Sequence, residues 1–190
     1  MRAFIAIDLP EEIKDHLSLL ETKLKQSGAD VKWAAPVNIH LTLKFLGDID
    51  DKRINQIIQI LDDISSNTPQ FYIKLGGIGT FPNIRSPRII WIGLAAGNNE
   101  TKEITADLEE RIEKIGIPKE DKPFTSHITI GRVKSNLNRE KLIPLLTTLT
   151  TENDKSNYQF LATKLTLFKS TLTPKGPIYE AVKESNLRTD

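Results

Sequence analysis

Two short stretches hold the residues best suited to chemistry. His40 and Thr42 stand in NIHLTLKFLG, residues 38–47, and His127 and Thr129 in TSHITIGRVK, residues 125–134. The chain has three histidines, and two share this His-apolar-Thr-apolar context, 87 positions apart. Alternate residues of a strand share a face. His40, Thr42 and Lys44 therefore point one way, and Ile39, Leu41, Leu43 and Phe45 point to a core. In the second stretch His127 and Thr129 share a face, Ile128 and Ile130 go to the core, and Gly131 takes the place of Lys44, leaving room beside the pair. Two imidazoles across one cleft suit acid–base catalysis near neutral pH, one accepting a proton and the other donating one. Each threonine adds a hydroxyl donor for an anionic oxygen. In-line attack on a phosphodiester needs this set, and positioning with charge stabilisation supplies the catalysis with no metal required in principle. Two other readings compete. A single His-x-Thr is commonplace in strands, and imidazole is a common metal ligand, although neither His-Thr face carries an acid to complete a metal site.

The elements that must position these residues follow from periodicity. Residues 3–9, AFIAIDL, read as a strand. Pro10 opens a helix whose Ile13, Leu17, Leu20 and Leu24 form one buried stripe, stopped near Gly28. VKW is a short strand before Pro36, and IHLTLKFL is the first histidine strand. Asp50 or Asp51 caps a helix with Ile54, Ile57, Ile58, Leu61 and Ile64 on its buried face. FYIKLGGIGTF, residues 71–81, is a longer strand loosened at its glycines. The second half repeats the order: strand RIIWIGL, a helix from Asn98 closed by Gly116, strand SHITIGRV, helix NREKLIPLLTTL containing Pro144, long strand YQFLATKLTLFKS and a last strand, PIYEAVKE.

The 87-residue offset also relates Phe4 to Trp91, Phe71 to Tyr158 and Phe81 to Phe168. A constant offset across three kinds of element implies an internal duplication. The copies span roughly residues 3–82 and 89–170, with a terminal strand near 177–184. No linker separates them, so residues 1–190 are expected to form a single two-lobed domain about an approximate two-fold axis. The fold class is α+β: each lobe a mainly antiparallel sheet with helices outside, and a groove between the lobes.

Composition bounds the partners. The chain has 190 residues, 38% hydrophobic and 27% charged, and no cysteine, which excludes disulfides and thiolate nucleophiles. The net charge of +1 gives no global field for nucleic acid, so any RNA contact comes from a local patch. The longest apolar run, Ile89 to Ala96, is far short of the about 20 residues of a membrane span. The first ten residues read as a buried strand rather than a signal peptide. A monomer in the cytoplasm, with no membrane contact and no cofactor, is expected. Gly76–Gly79 lacks the Gly-Lys-Ser/Thr ending of a phosphate loop and reads as a bulged strand. His16 lies in the first helix at a position expected to be exposed.

The pair HLTL and HITI resembles the two H-x-T-x motifs of the two-histidine phosphoesterases. The stretches RAFIAIDLP, VKWAAPVNIHLTLKFLGDI, GGIGTFPNIRSPRIIWIGL, KPFTSHITIGRV and LFKSTLTPKGPIYE are similar to one branch, the RNA 2′,3′-cyclic phosphodiesterases or 2′-5′ RNA ligase-like proteins. The resemblance runs from Arg2 to Glu180. It implies hydrolysis of an RNA 2′,3′-cyclic phosphate end, or of a cyclic nucleotide, to a 2′-phosphate. By position it makes His40 the proton donor to the departing 3′-oxygen and His127 the proton acceptor from water. Thr42 and Thr129 become the phosphate-binding hydroxyls. An arginine commonly follows the second motif, as Arg132 does here. Strict alternation puts Arg132 on the face opposite His127, so only a bulge or strand end aims it inward. Among Trp33, Phe45, Phe81, Trp91 and Phe124, base stacking is assigned first to Phe124, just ahead of the second motif. Two departures lie at the cleft rim: Ser126 where proline is usual, and Val37 where an acid is usual. Alternatives on the same scaffold are 2′-5′ ligation, with a 5′-hydroxyl in place of water, and a non-catalytic RNA-end binding module.

Overall fold

The computed structural model describes residues 1–189. In chain order the elements are β1 (Arg2–Asp8), α1 (Glu11–Lys25), β2 (Val31–Trp33), a 3-10 turn (Pro36–Asn38), β3 (His40–Asp48), α2 (Asp51–Asn67), β4 (Phe71–Phe81), β5 (Ile89–Ala96), α3 (Asn98–Glu113), β6 (Ile128–Val133), α4 (Arg139–Asp154), β7 (Gln159–Ala162), β8 (Lys164–Thr173) and β9 (Gly176–Asn186). The strands form one curled antiparallel sheet in the order β7-β4-β5-β6-β3-β1-β8-β9, with β2 added beside β6.

The helices form where the apolar spacing places them. Ile13, Leu17, Leu20 and Leu24 of α1 are buried, as are Ile57, Leu61 and Ile64 of α2. Ile104, Leu108 and Ile112 do the same for α3, and Leu142, Leu146 and Leu149 for α4. Each fully buried side chain of this kind contributes roughly 1.5–3 kcal/mol. Asp50 caps α2, its Oδ1 accepting from the Arg53 amide at 2.8 Å. The helix pairs cross between copies: α1 packs on α4, and α2 on α3.

The duplication is visible in the strand register. Leu41 of β3 faces Ile128 of β6, positions related by 87, so the pseudo-two-fold axis passes through this pair. The pairing of β4 with β7 is also its own mirror under the offset: Tyr72 faces Leu161 and Lys74 faces Gln159. One expectation is corrected. Phe4 faces Phe45 in the first copy, whereas Ile89 faces Arg132 in the second. β1 and β5 are therefore related by 85 positions, because the connection from β5 to β6 is two residues longer. Trp91 answers to Ala6, not to Phe4.

Two further expectations change. The long strand from Tyr158 breaks at Thr163 into β7 and β8, which pair with different partners, β4 and β1. His16 is not an ordinary surface residue. Its ring is half-buried and stacked on Tyr158 at 3.6 Å, and Nε2 donates to Asn153 Oδ1 at 2.8 Å. Asn153 Nδ2 in turn donates to the Gly76 carbonyl, so this chain of contacts fastens α1 to α4 and to the glycine bend of β4.

Candidate active site

A groove of about 1030 Å³ is lined by strands β3 and β6, the β8–β9 hairpin, helix α3 and the segment that leads from it to β6. His40, Thr42, His127 and Thr129 all line it, brought together because β3 and β6 meet at the axis. Ile39, Leu41, Ile128 and Ile130 are fully buried on the opposite face, as the alternation requires.

The two histidines are held in the same way. His40 Nδ1 donates to the Asn38 carbonyl at 2.8 Å, and His127 Nδ1 to the Thr125 carbonyl at 2.6 Å. A carbonyl only accepts, so each Nδ1 carries the proton and each Nε2 is left as the free basic atom. Both rings rest on aromatic side chains. Phe4 stacks on His40 at 4.7 Å, with Phe168 at 6.2 Å and Tyr179 edge-on at 5.3 Å. Phe81 and Trp91 meet His127 edge-on at 5.2 and 6.1 Å. The Trp91 ring needs Gly79 beneath it, where a Cβ would lie 2.2 Å from the indole. Tyr179 has no counterpart beside His127, because β9 has none in the first copy.

The surroundings of His40 decide its charge. Burial pushes its pKa down from 6.5 to about 4, against weaker upward pulls from the Asn38 carbonyl and Asp8. It is neutral in the free protein at pH 7. As pH falls below 6.5, the unfolded chain binds a proton at this residue and the folded protein does not, so acidification toward 4 costs stability. Glu21 works the other way. Burial raises its pKa to about 7, so its contribution is present in acid and fades as pH rises through 7. Because the two offset each other in a melting curve, the test is residue-specific: the His40 imidazole is expected to titrate near pH 4 by NMR. A midpoint near 6.5 would contradict the burial argument.

Beyond Thr42 and Thr129 the alternation fails, for one reason in both copies. Ile5 faces Lys44 while Ala6 faces Thr42, leaving Leu43 as an extra residue. Ile90 faces Gly131 while Trp91 faces Thr129, leaving Ile130 extra. Each strand carries a β-bulge at the equivalent position, which reverses the faces that follow. Lys44 is thereby turned from the His40 face to the helix side. It is not a solvated lysine: its side chain is fully buried, and Nζ binds Glu109 of α3 at 2.7 Å and the Pro118 carbonyl at 3.1 Å. Phe45 is turned out of the core into the groove and is 59% exposed. The room beside Gly131 is filled by Val31 and Trp33, 2.9 and 3.0 Å from where a Cβ would stand. Arg132 is aimed inward and lines the groove, close enough to Tyr179 for its charge to oppose the rise that burial gives the phenol's pKa.

Phe124 lines the groove half-buried, packed on the core. Ser126, in place of the usual proline, is buried and bonded to Thr101 of α3 at 2.8 Å. Thr101 Oγ1 donates to the Gly97 carbonyl, so the Ser126 hydroxyl is the donor between them. This bond pins the residue before His127 by hydrogen bonding instead of by ring rigidity. The sequence reading missed Asn38. Its carbonyl orients His40, and its Nδ2 donates to the Pro177 carbonyl at 2.9 Å, tying the β8–β9 hairpin to the site. Among the described residues no three histidine or carboxylate side chains converge as a metal site, and no helix is long and apolar enough to cross a membrane.

A protein of Methanocaldococcus jannaschii named RNA 2′,3′-cyclic phosphodiesterase is 40% identical over 184 residues, 97% of this chain and 99% of the relative. One of Methanothermobacter thermautotrophicus with the same name is 36% identical, over 94% of this chain and 95% of its own. Among solved structures, a Thermus thermophilus protein superposes with a TM-score of 0.81 at 26% identity over the whole of both chains. LigT of E. coli in complex with 3′-AMP gives 0.79 at 24% identity, covering 98% and 97%, which supports the fold. The family model described as LigT like Phosphoesterase matches twice, over residues 7–91 and 92–179, and the chain belongs to that family.

Proposed function

We propose that the protein hydrolyses RNA 2′,3′-cyclic phosphate ends to 2′-phosphate ends by metal-independent proton transfer between two histidines. The observation that carries this reading is the pair of imidazoles in one groove, each with Nδ1 committed to a carbonyl and Nε2 free. The names borne by the relatives point to the same reaction. His127 takes a proton from water as the water oxygen bonds to phosphorus. The bond from phosphorus to the 3′-oxygen breaks, and His40 gives that oxygen its proton. The hydroxyls of Thr42 and Thr129 bind the other phosphate oxygens, and Arg132 adds positive charge beside them.

Burial leaves His40 neutral in the free protein, so its proton must be stabilised by what binds in the groove. An anionic phosphate beside the ring favours the imidazolium. Addition of a nucleoside 2′-phosphate is therefore expected to raise the His40 midpoint from about 4 toward neutrality. An unchanged midpoint would remove His40 from the donor role. The activity itself is tested by incubating the protein with RNA ending in a cyclic phosphate, in excess EDTA. The expected product is the 2′-phosphate. Absence of turnover, or a 3′-phosphate product, would overturn the proposal.

A further inference from the structure

His40 and His127 occupy equivalent positions, yet one must give a proton and the other take one. The strand beside each histidine differs at one residue. β1 lies along β3, and Asp8 stands directly opposite His40. Residues directly opposite in an antiparallel pair point to the same face, with Cβ atoms roughly 5 Å apart. No register shift falls between Ala6, opposite Thr42, and Asp8. The Asp8 carboxylate therefore shares the face of the His40 imidazole. In the second copy β5 takes the place of β1, and the residue 85 positions on from Asp8 is Gly93. A Cβ there would lie 3.3 Å from the ring of Trp91, which supports His127. A carboxylate thus flanks one histidine, and an aromatic ring takes that space beside the other.

Asp8 is held in place. Its Oδ1 accepts from the Leu9 amide at 2.9 Å and from Lys14 Nζ at 3.0 Å. The Lys14 side chain is 6% exposed, and its other carboxylate, Glu11, is 3.7 Å away in solvent. Nδ1 of His40 is already taken by the Asn38 carbonyl, so Asp8 acts on the ring as a charge and not as a proton partner. The carboxylate pulls the His40 pKa up, and the Lys14 ammonium pushes it down. The other groups against the ring are uncharged at neutral pH: Phe4, Phe168 and Tyr179, whose phenol burial moves further from ionising. Both charges gain influence when substrate displaces water from the groove, because screening falls.

We propose that Asp8 is the positioning residue that makes His40 the proton donor, stabilising the imidazolium in the loaded groove, and that Lys14 sets the strength of this effect by fixing and partly neutralising the carboxylate. With Gly93 in the equivalent place, His127 is left to serve as the base. This assignment rests on the cyclic-phosphodiesterase reading and gives the origin of its division of labour.

The test follows the His40 imidazole by NMR across pH in protein loaded with a nucleoside 2′-phosphate. Asp8→Asn keeps an acceptor for the Leu9 amide and removes the charge. Its His40 midpoint is expected about one pH unit below that of the wild type. Lys14→Met leaves the carboxylate at full strength, and its midpoint is expected above that of the wild type. The His127 resonances are expected to respond to neither substitution. On an RNA cyclic-phosphate end, kcat falls as the donor loses its proton. The alkaline limb of its pH profile is therefore expected to move down in pH for Asp8→Asn and up for Lys14→Met. Above that limb Asp8→Asn is expected to be about tenfold slower than the wild type, and to recover most of the loss on a diester with a p-nitrophenolate leaving group. A merely structural role would move the two variants the same way. Midpoints that move together, or do not move, in an active enzyme would overturn the inference and leave the hydrolysis standing. So would an Asp8→Asn loss that is equal for both leaving groups. Should Asp8→Asn not fold with Lys14 stranded, Lys14→Met decides alone, and an unchanged or lowered midpoint overturns the inference. A wild-type protein that does not turn over the cyclic end would overturn the underlying reading as well.

Discussion

His40→Ala is expected to lose roughly 10²- to 10⁴-fold in kcat on an RNA cyclic-phosphate end, and to recover most of that loss on a diester with a p-nitrophenolate leaving group. The argument is about the departing oxygen. A ribose 3′-alkoxide is a poor leaving group and needs a proton as its bond breaks, whereas p-nitrophenolate leaves without one. His127→Ala is expected to lose a similar factor on both substrates, because water must be deprotonated in either case. Steady-state rates of the two variants on the two substrates separate the roles. Equal rescue of both variants would mean that the groove does not distinguish acid from base. Rescue of His127→Ala alone would reverse the assignment. Neither substitution removes a large part of the core: His40 rests on Phe4 and Phe168, and His127 on Phe81 and Trp91, and these rings pack on each other as well.

Lys44→Met is expected to destabilise the fold by about 3 kcal/mol, read as a lower urea midpoint at unchanged slope. The ammonium is fully buried, and the Glu109 carboxylate beside it is 15% exposed, so removing one partner strands the other charge. The double variant Lys44→Met, Glu109→Leu is expected to recover much of the loss, since two apolar side chains leave no charge behind. A single variant as stable as the wild type would show that water reaches Glu109 freely. The pair also acts on the site. In the first copy β2 is joined to β6 by strand pairing at Trp33 and Gly131. In the second copy no strand forms at residues 118–120. There Lys44 holds the Pro118 carbonyl, and Glu109 accepts from the Glu120 amide at 3.3 Å. This staple fixes the segment that runs on to Thr125, whose carbonyl orients His127.

The meeting of the two histidine–threonine pairs in one groove was legible in the sequence because it depends on two simple regularities. Alternation puts His40 with Thr42 and His127 with Thr129, and the 87-residue offset puts the two pairs in equivalent strands. The helices were legible for the same reason, since Leu17, Leu61, Leu108 and Leu146 fall on regular stripes. What escaped was the consequence of one inserted residue. A bulge needs no glycine and no special composition, and Leu43 and Ile130 look like any other core positions of a strand. Yet they decide that Lys44 is buried, that Phe45 is exposed and that Arg132 faces the groove. The two-residue difference between β1 and β5 was hidden by chance, because Trp91 supports its histidine from a position different from that of Phe4. The Asn38 clamp was out of reach as well, since its partner carbonyl at Pro177 lies 139 positions away.

The order of strands carries a consequence for the history of the chain. The last strand of each copy lies on the first strand of the other: β4 on β5, and β8 on β1. A half cut free therefore leaves one edge of its first strand open, and β4 of the first half loses both of its partner strands. Two such units repair each other only by exchanging their ends, which is the geometry of a swapped dimer. A chain cut between Phe81 and Ile89 is expected to yield halves that are inert apart and regain the groove when mixed. The present sequence then reads as an ancestral homodimer fused into one polypeptide. Fusion freed its two halves to diverge, so that Phe45 stands in one where Arg132 stands in the other.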